Sequence, residues 1–82
     1  MTQQALTQCI KGGDKNGRPG WLIAFPYDED VVETIKTKIP HTFREWRPEQ
    51  KVWWIADEYS AVLENEFKNF HALAYLQGRL AL

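Results

Sequence analysis

Residues 44–55, R-E-W-R-P-E-Q-K-V-W-W-I, put large apolar side chains on both faces of a single predicted hairpin. With Pro48 and Glu49 at the centre of the turn, Trp46 falls opposite Lys51, and Arg44 opposite Trp53. Arg44, Trp46, Lys51, Trp53 and Ile55 then share one face. Phe43, Glu45, Val52 and Trp54 share the other. An antiparallel sheet with one solvated face should carry a polar side, and this hairpin has none. It therefore needs a helix on each side, a self-association surface or a binding platform. Trp46 and Trp53 are expected in the core. Trp54 stays open between core and contact surface.

The chain around this hairpin is short. Eighty-two residues make one domain, 1–82. A chain of this size buries only about 60–65% of its unfolded surface, so each large aromatic matters. Four Trp, four Phe and three Tyr supply much of the apolar area. The formal charge of −1 gives no whole-chain attraction to nucleic acid, and only a local patch could supply it. Cys9 is the sole cysteine, which excludes an intrachain disulfide and a Cys-based zinc site. Both facts suit a reducing cytoplasm. The N-terminus lacks the charged region and apolar run of a signal peptide. No apolar stretch is long enough to span a bilayer, so no membrane partner is expected.

Periodicity predicts an α+β fold in the order β-β-α-β-β-α: a small antiparallel sheet with helices packed on it. Residues 5–10 read as a first strand. Lys11 to Gly20, with four glycines and a proline, reads as the mobile, exposed tip of a wide hairpin. Trp21 to Tyr27 forms the second strand, with Trp21, Ile23, Phe25 and Tyr27 on one face. Asp28 caps a helix whose apolar face is Val31, Val32, Ile35 and Ile39, and Pro40 stops it. Thr42–Arg47 and Lys51–Ala56 are the hairpin strands. Asp57 caps a long final helix carrying Tyr59, Val62, Leu63, Phe67, Phe70 and Ala74, with Gly78 as its end. Leu73, Leu76 and Leu80 continue on a different face and hint at a partner helix.

The hairpin also interleaves basic and aromatic residues. Arg and Lys neutralise phosphate, and an indole offers a base a flat face. This makes Arg44, Trp46, Arg47, Lys51 and Trp54 candidate nucleic-acid contacts, with Lys36 and Lys38 as flanking phosphate contacts.

The segment F-P-Y-D at Phe25–Asp28, the helix bearing Val32, Ile35 and Lys36, Ile39-Pro40, and Arg44, Trp46, Pro48, Lys51, Trp53 and Ile55 together resemble the HARP-type (HepA-related protein) module. That module is an accessory domain of annealing helicases. The resemblance spans about thirty of the eighty-two residues and is one of residue types rather than a catalytic signature. It implies a small α+β module that contacts branched or single-stranded DNA and positions a motor. Arg47 departs from the family pattern, which has an acidic residue before the proline. Phe43 and Trp54 add bulk where that pattern is mostly polar. No motor and no phosphate-binding loop are present in the chain. The opening methionine and the final helix favour a complete small protein.

Other chemistry is thinly represented. His41 and His71 lie thirty residues apart with no metal-ligand spacing. Asp28, Glu29 and Asp30 suit a helix start as well as a cation. Cys9 and His41 would need an orienting group to act as a nucleophile pair. The expectation is therefore a non-catalytic module with no cofactor and no metal. Its partners would be single-stranded or forked DNA and a helicase or another replication or repair protein. The alternative is a protein-interaction or homo-oligomeric adaptor.

Overall fold

The computed structural model describes residues 6–74. Leu76, Gly78 and Leu80, assigned above to the end of the final helix, lie outside the described residues. Four strands form one antiparallel sheet among the described residues: β1 (Gln8–Gly13), β2 (Pro19–Ala24), β3 (Arg44–Arg47) and β4 (Val52–Ala56), in spatial order β1-β2-β4-β3. Helices α1 (Glu29–Lys38) and α2 (Ser60–Glu66) pack on the sheet, and short 3-10 turns at His41–Phe43 and Asp57–Tyr59 lead into β3 and α2. The protein is a small α+β domain.

Helix α1 begins as its sequence requires. Asp28 is extended, and its Oδ1 accepts the backbone N–H groups of Asp30 (2.9 Å) and Val31 (3.3 Å). Glu29 and Asp30 lie at the positive end of the helix, Lys36 and Lys38 at the negative end. Val31, Ile35 and Ile39 are fully enclosed. The backbone turns extended at Ile39, before Pro40. The core lies between the helices and one sheet face. Cys9, Trp21, Ile23, Trp53 and Ile55 face Val31, Ile35, Leu63, Phe67 and Phe70 there, with Trp21 edge-on to Phe70 at 5.4 Å.

The elements differ from the sequence expectation in four places. First, β1 lies three residues later, and the glycine-rich segment shrinks to a loop over 14–18. Asp14 organises it. Its Oδ1 accepts the N–H groups of Asn16 (2.9 Å) and Arg18 (2.8 Å), and Gly17 takes the left-handed backbone that the turn needs. Second, β2 ends at Ala24, so Tyr27 leaves the strand face and stands 81% exposed. Pro26, which lacks an N–H for the ladder, makes that ending.

Third, the hairpin register is displaced. Trp46 pairs with Trp53 and Arg44 with Ile55, because the loop holds four residues and Lys51 is left-handed (φ 58°). A displacement of two residues keeps every face assignment and changes every partner. Fourth, the final helix is not capped by Asp57, which sits in a 3-10 turn ahead of Ser60, and it is broken. Phe67 is extended, and helix resumes over 70–74. The Asn69 side chain ties down the interruption, accepting from the Leu6 N–H (2.7 Å) and donating to the Leu6 carbonyl (2.8 Å). The apolar stripe fits a continuous helix equally well, so spacing alone gives no sign of the break.

The second apolar face of the sheet is covered by the chain itself. Trp54 is 1% exposed, yet among the described residues no helix lies over it. Its indole spans two neighbouring strands and donates from Nε1 to the Gly12 carbonyl at 3.1 Å. The β1–β2 tip reaches across to the far edge of the sheet. The Arg18 guanidinium lies 5.1 Å from the Trp54 ring and 5.4 Å from the Phe43 ring, and Nη2 donates to the Thr42 carbonyl. Arg47 completes the cover, donating to the Gly13 carbonyl (3.0 Å) and pairing with Glu45 (3.2 Å).

Candidate nucleic-acid interface

Two large apolar side chains stand well exposed among the described residues: Tyr27 (81%) and Trp46 (47%). They come from different elements and line the same groove. The groove runs between α1 and the β3–β4 hairpin, with Val32 and Lys36 from the helix and Arg44, Trp46 and Trp53 from the hairpin. It opens to about 410 Å³, within the range of small-ligand sites. A second lobe continues past Phe25 to Lys51.

Each wall follows from local sequence. Tyr27 is turned outward because Pro26 ends the strand and Asp28 caps the helix. Trp46 lies on the helix-facing side of β3, the sheet's edge strand, so no further strand covers it. Its ring centroid is 5.3 Å from that of Trp53, with the planes tilted by 51°. Trp53 is 9% exposed and forms the floor.

The electrostatics of the groove run against the whole chain. Lys36, Arg44 and Lys51 line its two lobes, and no carboxylate does among the described residues. None of the three forms an ion pair among the described residues. Arg44 is anchored by donation from Nε to the Ile39 carbonyl at 2.9 Å, which fixes its guanidinium at the rim. A locally cationic, aromatic surface therefore sits on a protein of charge −1. Chemically it can stack a planar ring and neutralise phosphate beside it.

The groove thus gathers Lys36, Arg44, Trp46 and Lys51 from the residues singled out in the sequence. Three others lie elsewhere. Trp54 is buried under the hairpin tip and presents no face for stacking. Arg47 is engaged by Glu45 and Gly13 on that same side of the sheet. Lys38 borders a separate cleft between α1 and α2, with Thr34, Val62 and Glu66. Trp46, expected in the core, stands at the rim instead. Of the alternatives for the face bearing Phe43, Val52 and Trp54, an open contact surface is not what the described residues form. Phe43 packs on Tyr59 at 5.2 Å, and Val52 and Trp54 are both buried. Tyr27 was missed as a site residue; the signal for it was Pro26, directly before it.

Other reactive groups are occupied or enclosed. Burial pushes the Cys9 thiol up to about 11, against a smaller opposing pull from Lys11. Cys9 lies in the core and His41 is exposed on the turn before β3, so they do not form a pair. Among the described residues, no three His, Cys, Asp or Glu side chains are grouped to hold a metal ion. No described helix is long and apolar enough to cross a membrane. Comparison with protein families, with curated proteins and with solved structures finds no match to this chain.

Proposed function

We propose that the Tyr27–Trp46 groove is the binding face of a small, non-catalytic nucleic-acid module whose ligand is single-stranded or branched DNA. One observation carries this reading. Among the described residues, the two exposed large aromatics share one groove with three cations and no carboxylate. Stacking on an aromatic ring requires an unpaired base, since the faces of a base inside a duplex are already covered. The groove therefore suits a single strand or an opened junction rather than an intact helix. The HARP-type resemblance points to the same ligand, and to a helicase or other repair protein as the partner that such a module would serve.

A titration of oligothymidylate, followed by tryptophan fluorescence at several salt concentrations, tests the reading. Three phosphate contacts on a single strand give a slope of log K against log salt of about −2. Removing one stacking ring weakens binding by about 1–3 kcal/mol. Trp46→Ala should therefore lose affinity at every salt concentration, and Lys36→Ala or Lys51→Ala should flatten the slope. No binding by the unaltered protein at low salt would end this reading.

A further inference from the structure

We propose that a strand held in the groove continues round the β3 edge, and that its next phosphates occupy a second cleft lined by Lys15, His41 and Arg44. This inference rests on the nucleic-acid reading of the groove. The second cleft, of about 300 Å³, opens between the β1–β2 tip and the His41–Arg44 segment. Arg44 lines both clefts, so they meet at this residue on the edge strand.

The charges in the second cleft are not what its composition implies. Two carboxylates border it, but both are engaged by the protein. Asp14 accepts from the Arg18 side chain and from two backbone N–H groups, and its side chain is only 4% exposed. Glu45 accepts from Arg47. Arg18 is engaged too, by Asp14, the Thr42 carbonyl and the Trp54 ring. Of the basic residues lining the cleft, Lys15, His41 and Arg44 form no ion pair among the described residues, and Lys15 and His41 are exposed.

The cleft therefore takes an anion. Its indole, Trp54, is covered by Arg18 and offers a base no face. A phosphodiester fits both conditions. The division of labour follows: bases stack in the groove, Arg44 marks the crossing, and backbone phosphates lie beyond it.

The test compares a thymidine dinucleotide, which supplies a base for each exposed ring but is too short to reach the second cleft, with an octanucleotide, using the whole chain. The octanucleotide should bind tighter and with a steeper salt slope. Lys15→Ala should weaken the octanucleotide several-fold and reduce its slope by about 0.7, the single-strand value for one phosphate. The same change should leave the dinucleotide unaffected. Lys68→Ala, in the turn before the last helical segment, should change neither ligand. Equal affinity for the two lengths, or an octanucleotide slope untouched by Lys15→Ala, would overturn the proposed path. So would an equal effect of Lys68→Ala, since whole-chain charge would then explain the loss. If neither oligonucleotide binds at low salt, the groove reading fails first and this inference fails with it.

Discussion

The indole of Trp54 lies directly on Gly20: a methyl group built at Gly20 would stand 2.6 Å from Trp54 Nε1 and collide with the Ile55 carbonyl. Gly20 is thus required by the side chain of a residue on the next strand. Gly20→Ala should destabilise the protein by about 1–3 kcal/mol through overpacking. Trp54→Ala should cost about 3–5 kcal/mol by leaving a cavity. Combining them should relieve part of the glycine penalty, and the Ile55 carbonyl keeps the rest. Urea unfolding of the three variants measures the coupling. Strict additivity would show that the ring does not rest on Gly20.

The groove variants should separate binding from folding. Tyr27→Ala removes a ring that makes little contact with the core, so circular dichroism and melting temperature should stay near those of the parent. Oligothymidylate affinity should nevertheless fall. Trp46→Ala should cost about 1 kcal/mol of stability from its contact with Trp53 and weaken binding more than it weakens the fold. Trp53→Ala, at the floor, should lose about 3–5 kcal/mol. A Tyr27→Ala protein that binds as well as the parent would remove Tyr27 from the site.

Asp14 predicts an acid dependence. Burial alone would raise its carboxyl, but the hydrogen bonds from Arg18 and Asn16 outweigh that and hold it below the usual carboxylate range. A lowered folded-state value stabilises the protein above the unfolded value, about pH 3.9, and that stability is lost as the pH falls through the folded one. Asp14→Asn should therefore melt below the parent at neutral pH, and the gap should narrow under acid. Melting curves from neutral pH to about pH 2 decide this. A gap of constant size would mean that the carboxylate charge plays no part.

Cys9 should behave as an enclosed, protonated thiol. Its pKa, near 11, and its burial keep it from reagents at mildly alkaline pH. An aromatic disulfide reagent should label it only as fast as the structure opens, and denaturant should make labelling immediate. Because the folded value is raised, the associated stability is present below the unfolded thiol value, about pH 8.5, and declines as the pH rises toward 11. Immediate labelling of the native protein would contradict its placement.

Local signals in the sequence were reliable where a single residue dictates geometry. Asp28 announces its helix, Pro40 ends it, and alternation assigns both hairpin faces. The same logic failed where distant residues decide. Nothing beside Phe67 reveals that Asn69 will bridge both backbone groups of Leu6, sixty-three positions away. The hairpin's two-sided bulk was legible, but not the cover for Trp54, which comes from glycines and an arginine of a segment read as a loose loop. The site was partly legible for the same reason. Lys36, Arg44, Trp46 and Lys51 advertise themselves by type. Only the fold shows that Tyr27 joins them and that Arg47 and Trp54 do not.

The pairing of β2 with β4 has a consequence for how the chain assembles. Each hairpin closes within its own stretch of sequence, but the central seam joins strands separated by the whole of α1. Local hairpins can form quickly, whereas a distant seam must wait for chain closure. The Trp54 contact with Gly20 lies on that seam, and the reach of Arg18 to Thr42 joins the same two halves beside it. The chain is therefore expected to fold as two halves that meet, with an indole from one entering the glycine notch of the other. Changes within either turn should alter how fast each half appears, and changes at the notch how long the halves stay joined.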